Sequence, residues 1–450
     1  MKKLVLSILT VLFISLAVQA KPAKFDFEGV IKESGVDTES IAVSIKSADS
    51  GKIAYSLNDK MLMNPASVQK LLTTPVSVEI LGEDYEFKTE IYSRGDEAFL
   101  IKLGADPYLT SSDLRKLASH VGVGTTKVYI DDRILDSKTW GEGWQWDDDL
   151  NPLMPKFSAY NINKNLLKLE INPTVNNVSA KLTVKPFYPL TFMNLVTTDS
   201  KNATSVKVER NNNIAPNMLN VSGVVSKTAS ILIPVNNPKM NFTLRLEDAI
   251  RAKKLEYYAT IKNAKLPDQN IYHVETVEHD LSAILPVILK YSDNLAAETV
   301  FKTAGAEYSN SQGNIENSLK MLNDYFEKNN LQNEDIKIVD GSGVSKNNLM
   351  TAKFMGEFLM FRANSENFEG FKNALTTAGE GTLKNRMLYF KDNLRAKTGT
   401  LADTSAMAGY ITSRRGKLYA FDIMINGAKT SSADKKNIEE QILRNIYINY

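Results

Sequence analysis

The apolar positions of this chain change period several times, and those changes divide it. From residue 40 to 57 apolar and polar residues alternate as Ile41-Ala42-Val43-Ser44-Ile45 and Ile53-Ala54-Tyr55-Ser56-Leu57, on either side of Asp49-Ser50-Gly51. A period of two flanking a turn-forming triplet predicts a β-hairpin. Val68, Leu71, Leu72, Val76 and Ile80 then recur at helical spacing, so a helix is expected to begin close to Ser67 and to end at Gly82. Pro75 lies inside it and is expected to bend or divide it, because proline removes a backbone donor.

Residues 83–267 have a different texture, with short alternating segments such as 87–92 and 126–130 broken by turn residues. Within them, residues 172–239 are dense in Asn, Ser, Thr, Val and Pro and read as a small sandwich or barrel. Helical periodicity returns at 242–254 and strongly at 281–290. Beyond it, helices at 315–326 and 351–362 alternate with strands at 337–339, 394–398, 405–412 and 418–425, the last two joined by a turn at Ser413-Arg414-Arg415-Gly416. In the final segment Ile438, Ile442, Leu443, Ile446 and Tyr447 share a helical face that should pack on the sheet. The pattern therefore predicts one α/β domain, residues 21–82 plus 268–450, interrupted by a β-rich insertion at 83–267 that forms two small domains.

Charge and composition narrow the setting. The chain begins Lys2-Lys3, continues with an apolar run from Leu4 to Val18, and reaches Gln19-Ala20 before Lys21-Pro22, the plan of a secretory signal peptide (residues 1–20) cut after Ala20 and hence of a periplasmic protein. Without Lys2 and Lys3 the basic residues number 52 against 52 acidic ones, so nothing in the balance points to nucleic acid. No later segment reaches the ~18 apolar residues of a membrane span. The chain has no cysteine, which excludes disulfides, thiolate metal sites and a cysteine nucleophile. Its three histidines, His120, His273 and His279, supply a Ser-His-Asp triad or a metal centre poorly; no cofactor is expected.

The candidate chemistry is serine chemistry. Ser67 and Lys70, three apart at a helix start, share a face. A serine hydroxyl needs a base within hydrogen-bond reach and donors for the oxyanion, and Lys70 is a base only when neutral, which requires burial and a second cation nearby. The same spacing at Ser432 and Lys435 lies in a polar stretch and reads as a solvated helix start. Two further fragments complete the set. Ser292-Asp293-Asn294 follows an apolar helix, and Lys397-Thr398-Gly399-Thr400 lies on a predicted strand, where it offers a cation, a hydroxyl and a stretch of backbone without a side chain. Ser67 would attack, Lys70 would take its proton, Lys397 would keep Lys70 neutral, and Ser292 would pass a proton to the leaving amine.

This ordered set resembles the penicillin-recognising serine acyl transferases. The text around it, including Gly104-Ala105-Asp106-Pro107-Tyr108-Leu109, Trp144-Gln145-Trp146-Asp147-Asp148, Ser292 to Glu298, Asp340-Gly341-Ser342-Gly343 and Gly381-Thr382-Leu383, is similar to the low-molecular-mass class C penicillin-binding proteins, which are D-alanyl-D-alanine carboxypeptidases and DD-endopeptidases. The resemblance implies a serine β-lactamase-like domain, an antiparallel sheet flanked by helices and interrupted by β-rich domains. It also implies an acyl-enzyme mechanism on peptidoglycan stem peptides and cross-links, with β-lactam antibiotics as covalent inhibitors. The backbone N–H groups of Ser67 and Thr400 would form the oxyanion hole. Lys397, Thr398 and Thr400, beside Gly399, would hold the terminal carboxylate, and Asn294 would bind the substrate amide and orient Lys70. Asp148, flanked by Asp147 and Asp149, would read the amino group of meso-diaminopimelate. Asp340-Gly341-Ser342-Gly343 reads as a tight turn supporting the sheet. Two other readings stand beside this one: a serine β-lactamase, for which the insertion is too long, and a non-catalytic peptidoglycan-binding scaffold, for which the constellation is too complete.

Overall fold

The predicted hairpin forms from Ile41–Ser47 and Ile53–Leu57 and supplies one edge of a five-stranded antiparallel sheet in the computed structural model. From the opposite edge the order is Leu394–Thr400, Thr404–Thr412, Leu418–Asn426, Ile41–Ser47 and Ile53–Leu57, so the first and last thirds of the chain close one sheet. The structure describes residues 27–450 apart from 96–97, 123–126, 211–214, 253–259, 264–269, 332–335, 428 and 430. The expected signal segment lies outside the described residues.

The central strands are almost wholly apolar because both faces of the sheet are covered. Along Leu418–Asn426, Ala420 and Met424 face a core with Leu71, Leu72 and Phe358, whereas Phe421, Ile423 and Ile425 face a second core with Ile438, Ile442, Leu443 and Ile446. The terminal helix, Ser432–Asn449, thus packs its predicted face under the sheet.

Three expectations need correction. The helix after Ser67 is preceded by a 3₁₀ turn, Ala66–Gln69, and then runs unbroken as Lys70–Leu81 with Pro75 inside it; the buried contacts of Leu71, Leu72 and Val76 outweigh the missing donor. Residues 337–339 form no strand, only a single bridge from Lys337 to Leu349, because the chain turns at once into the Asp340 loop. The insertion does not end at 267: Tyr272–Asp280 pairs antiparallel with Glu86–Arg94, so the return to the first domain falls at Leu281.

That pairing belongs to a five-stranded mixed sheet ordered Thr260–Asn263, Lys127–Asp131, Ala98–Lys102, Glu86–Arg94 and Tyr272–Asp280. Helices Ser111–Ala118 and Pro238–Arg251 bury Leu114, Leu117, Phe242 and Leu246 in the same core as Ile91 and Val128, so this half of the insertion is α/β and not purely β. The other half is two three-stranded sheets, Leu166–Asn172 with Lys181–Lys185 and Ala229–Pro234, and Thr191–Thr198 with Ser205–Arg210 and Met218–Val225. Leu167, Leu169, Val196, Leu219 and Val221 form the core shared by both sheets.

Candidate active site

Ser67 sits in the 3₁₀ turn, one residue after Ala66, whose φ of 47° is a strained left-handed value for alanine. Asn64 holds the turn in place. Its Oδ1 accepts from the Ala66 N–H at 2.9 Å, its Nδ2 donates to the Ser345 carbonyl at 3.0 Å, and its backbone carbonyl accepts from Asn426 Nδ2 at 3.0 Å. Ser67 remains half-buried, within reach of a substrate, while the next turn buries Lys70 completely.

The Lys70 amine has three partners. Its Nζ lies 2.9 Å from Ser67 Oγ, 2.6 Å from Asn294 Oδ1 and 2.6 Å from the Ser342 carbonyl. A neutral amine has two N–H bonds and one lone pair. With Asn294 and Ser342 taking the two hydrogens, the lone pair is left for the serine hydroxyl. Burial lowers Lys70 from 10.5 to about 8, opposed by the negative charges of Asp340, Glu298 and Asp293. Lys397 is also fully buried and is held well below its ordinary value, first by burial and then by the charge of Lys70. The expectation that Lys397 keeps Lys70 neutral is therefore corrected in its order of causes: desolvation comes first, and the repulsion between the two amines falls on Lys397.

The other two fragments converge on the same place. Ser292 ends helix Leu281–Tyr291 in a left-handed conformation, φ 63°, and its Oγ accepts from Lys397 Nζ at 2.9 Å. Asp293 caps helix Asn294–Ser309 by accepting from the Ala296 N–H, which sets Asn294 at the first turn beside Lys70. Lys397 also donates to the Thr398 carbonyl at 2.7 Å, and Thr398 Oγ1 donates to Thr382 Oγ1 at 2.8 Å. Gly399 packs against the turn that carries Ser67 so closely that a Cβ there would stand 3.0 Å from both the Ser67 nitrogen and Ala66 Cβ. Five side chains from three distant stretches thus meet in one cluster beside the edge strand of the sheet.

A family model, the D-Ala-D-Ala carboxypeptidase 3 (S13) family, matches residues 25–446. The chain belongs to this family. It is a serine-type D-Ala-D-Ala carboxypeptidase. It is 24% identical over 431 residues to the D-alanyl-D-alanine carboxypeptidase DacB of Haemophilus influenzae, covering 89% of each chain. To the D-alanyl-D-alanine carboxypeptidase of Actinomadura sp. strain R39 it is 25% identical over 437 residues, 89% of this chain and 80% of the relative. The crystal structure of penicillin binding protein 4 (dacB) from H. influenzae superposes with a TM-score of 0.82 at 22% identity, covering 94% of this chain and 100% of that one, and so shares its fold.

Much of what positions these side chains comes from backbone groups that residue types cannot reveal. The Asp340-Gly341-Ser342-Gly343 segment is a tight turn, but it borders the cleft and does not merely support the sheet. Asp340 Oδ1 accepts from Gln69 Nε2, the Gly343 N–H and Asn348 Nδ2, and its Oδ2 accepts from Trp144 Nε1 and the Ser345 N–H; the Ser342 carbonyl then reaches Lys70. The insertion reaches these residues through several contacts: Trp144 donates to Asp340, the Leu153 carbonyl accepts from Asn294 Nδ2 at 2.8 Å, and Tyr108 and Lys164 donate to Asp293 Oδ2 at 3.2 and 3.1 Å. Asp149 is buried in an ion pair with Arg210 at 2.9 Å, which leaves Asp147 and Asp148 for any ligand. Asp148 ends the 3₁₀ turn Trp146–Asp148, half-buried, with its carboxyl raised above the usual range by burial and by Asp147. Ser432 opens the last helix, capped by Ser431, and the Lys435 amine donates to the Asp403 carbonyl and not to Ser432; Lys435 is buried, whereas the polar stretch predicts a solvated lysine.

Gly343 gives a direct check on how this turn supports the one that carries Ser67. Its φ is 79°, and a Cβ there would fall 2.0 Å from the Ala66 carbonyl oxygen. Gly343→Ala should cost about 2 kcal/mol or more in a denaturant titration and should slow acylation of Ser67, since the Ala66 peptide has to move.

Proposed function

We propose that this carboxypeptidase hydrolyses the terminal D-Ala-D-Ala bond of peptidoglycan stem peptides, and also the D-Ala to meso-diaminopimelate cross-link, through an acyl-enzyme on Ser67. The observation that carries the reading is the Lys70 amine, whose two N–H bonds are occupied by Asn294 and Ser342 and whose lone pair is left for Ser67 Oγ. Lys70 takes the hydroxyl proton as Oγ bonds to the carbonyl carbon of the penultimate D-alanine. The oxyanion is received by the N–H groups of Ser67 and Thr400. Strand pairing supports this role for Thr400: Ala396 bridges outward to Thr376, and a period of two turns the Thr398 and Thr400 amides to the same outer edge, where Gly399 meets the Ser67 turn. The C–N bond then breaks as Ser292, beside Lys397, gives its proton to the leaving amine and takes back the proton that Lys70 had received, so that the Lys70 amine is neutral again. Lys70 then takes a proton from the water that attacks the ester carbonyl and passes it to Ser67 Oγ as that bond breaks.

Lys397, Thr398 and Thr400 hold the substrate carboxylate, next to the side-chain-free Gly399. Asp148 takes the free amino group of the diaminopimelyl residue; the contact of its loop with Asn294 through Leu153 supports this. β-Lactams, which present a strained amide and a carboxylate in the same relation, acylate Ser67, and H. influenzae penicillin binding protein 4 has been crystallised with one. The leader Lys2 to Ala20 directs the chain to the periplasm, and no described helix is long and apolar enough to cross a membrane.

The test is digestion of purified peptidoglycan followed by mass spectrometry. Release of D-alanine from pentapeptides and of monomers from cross-linked dimers is expected; a folded enzyme yielding neither would refute the reading. Asp148→Ala should raise KM for diaminopimelyl substrates about tenfold and leave substrates lacking that amine nearly unchanged, because only the former lose a charge partner.

A further inference from the structure

One buried carboxylate beside the machinery has no part in the mechanism above. Glu298 lies four residues after Asn294 on helix Asn294–Ser309 and so on the same helical face. It is almost fully buried, and it accepts three hydrogen bonds from backbone amides: Gly341 N–H at 3.0 and 3.1 Å to its two oxygens, and Ser342 N–H at 2.8 Å. The carbonyl of that same Ser342 accepts from Lys70. One helix face therefore sets both of the partners that orient the Lys70 lone pair. Asn294 does so directly, and Glu298 does so by holding the peptide that carries the Ser342 carbonyl.

Glu298 also has its own approach from outside. A cavity of about 240 Å³ behind the cleft is lined by Glu298, Asp340, Lys302, Asp136, Lys138 and Glu142. The charged groups around Glu298 are thus Asp340 on the turn, Lys70 on the nucleophile helix, Lys302 on its own helix, and Asp136, Lys138 and Glu142 on the insertion. Lys302 is occupied by Asp136 and the Lys138 carbonyl, so it does not neutralise Glu298. Burial and the charge of Asp340 push Glu298 up to about 7.

We infer that Glu298 is a positioning residue for acyl transfer, which fixes the Ser342 carbonyl on Lys70 and places a negative charge behind the Lys70 amine. The inference rests on the acyl-enzyme reading. Its sign follows from the charges: an anionic Glu298 holds the Lys70 pKa up, so a neutral group in its place lets Lys70 lose its proton at lower pH.

The test is the second-order rate of acylation by benzylpenicillin against pH, for the wild-type protein and two variants whose fold is checked by circular dichroism and thermal melting. Glu298→Gln keeps an oxygen for the Gly341 and Ser342 amides and loses the charge. Its acid limb should move down by about half a pH unit or more, with the plateau about tenfold lower. Glu298→Asp keeps the charge and is one methylene shorter, so its acid limb should stay in place while acylation slows about tenfold. A folded Glu298→Gln protein that is slower with its acid limb unmoved would reduce the residue to packing and overturn the inference, as would wild-type rates in either variant. If Glu298→Gln does not fold, the Glu298→Asp rate decides. A wild-type protein that is not acylated would refute the acyl-enzyme reading instead.

Discussion

Ser67→Ala removes covalent labelling by benzylpenicillin and lowers release of D-alanine from a D-Ala-D-Ala peptide by about 10⁴-fold or more, because among the described residues Ser67 carries the one hydroxyl hydrogen-bonded to the Lys70 amine. The fold should survive, since the lost hydroxyl makes only a long contact of 3.5 Å to the Ser342 carbonyl besides its contact with Lys70. Labelling is read by gel or intact mass, and release of D-alanine by a coupled assay. Stoichiometric labelling of a folded Ser67→Ala protein would remove the nucleophile from Ser67.

The second large effect separates a lysine that acts as a base from one that acts as a cation. With Lys70 lowered to about 8, the neutral amine is scarce at pH 6 and predominates above 9, so acylation should rise with pH through about 8. Lys70→Arg keeps a positive group able to donate to Asn294 and Ser342, but a guanidinium does not deprotonate in this range. It should therefore lose at least about 10³-fold in acylation at every pH, as Lys70→Ala does. An arginine variant close to wild type would mean that the site needs a charge and not a base. The acid limb would then belong to another group.

The residues of this cleft were legible in the sequence to the extent that their chemistry resides in side chains. Ser67, Lys70, Ser292, Asn294 and Lys397 stand in short ordered fragments, and the structure brings all five together. Thr398 and Gly399 could be read from the same strand. The Ser342 and Leu153 carbonyls could not, because every residue carries the same backbone group and only the fold decides which one faces an amine. Glu298 had a faint signal, a carboxylate one turn past Asn294, directly after Leu295, Ala296 and Ala297. An acid in such a run must find buried donors, and here the donors are amides more than 40 positions away.

The fold was read best where one period persisted. The hairpin, the helix after Ser67 and the strands at the C-terminus follow directly from alternation or from helical spacing. Tyr272–Asp280 escaped because its partner, Glu86–Arg94, lies on the far side of the whole insertion, and pairing at such separation leaves no local mark. Residues 337–339 show the opposite failure: a β-like triplet formed no strand because the adjoining turn had to serve Asp340. Pro75, which predicts a bend or a division, does not divide the helix, which packing keeps whole.

The central claim is that a neutral amine beside a hydroxyl drives acyl transfer in a cleft assembled from three distant stretches. It is tested most directly by mapping the site of penicillin attachment: the wild-type protein is labelled, digested and read by tandem mass spectrometry. The account predicts one penicilloyl group per chain, on the peptide containing Ser67 and on that residue. A label on any other serine, or a folded protein that takes up none, would contradict it.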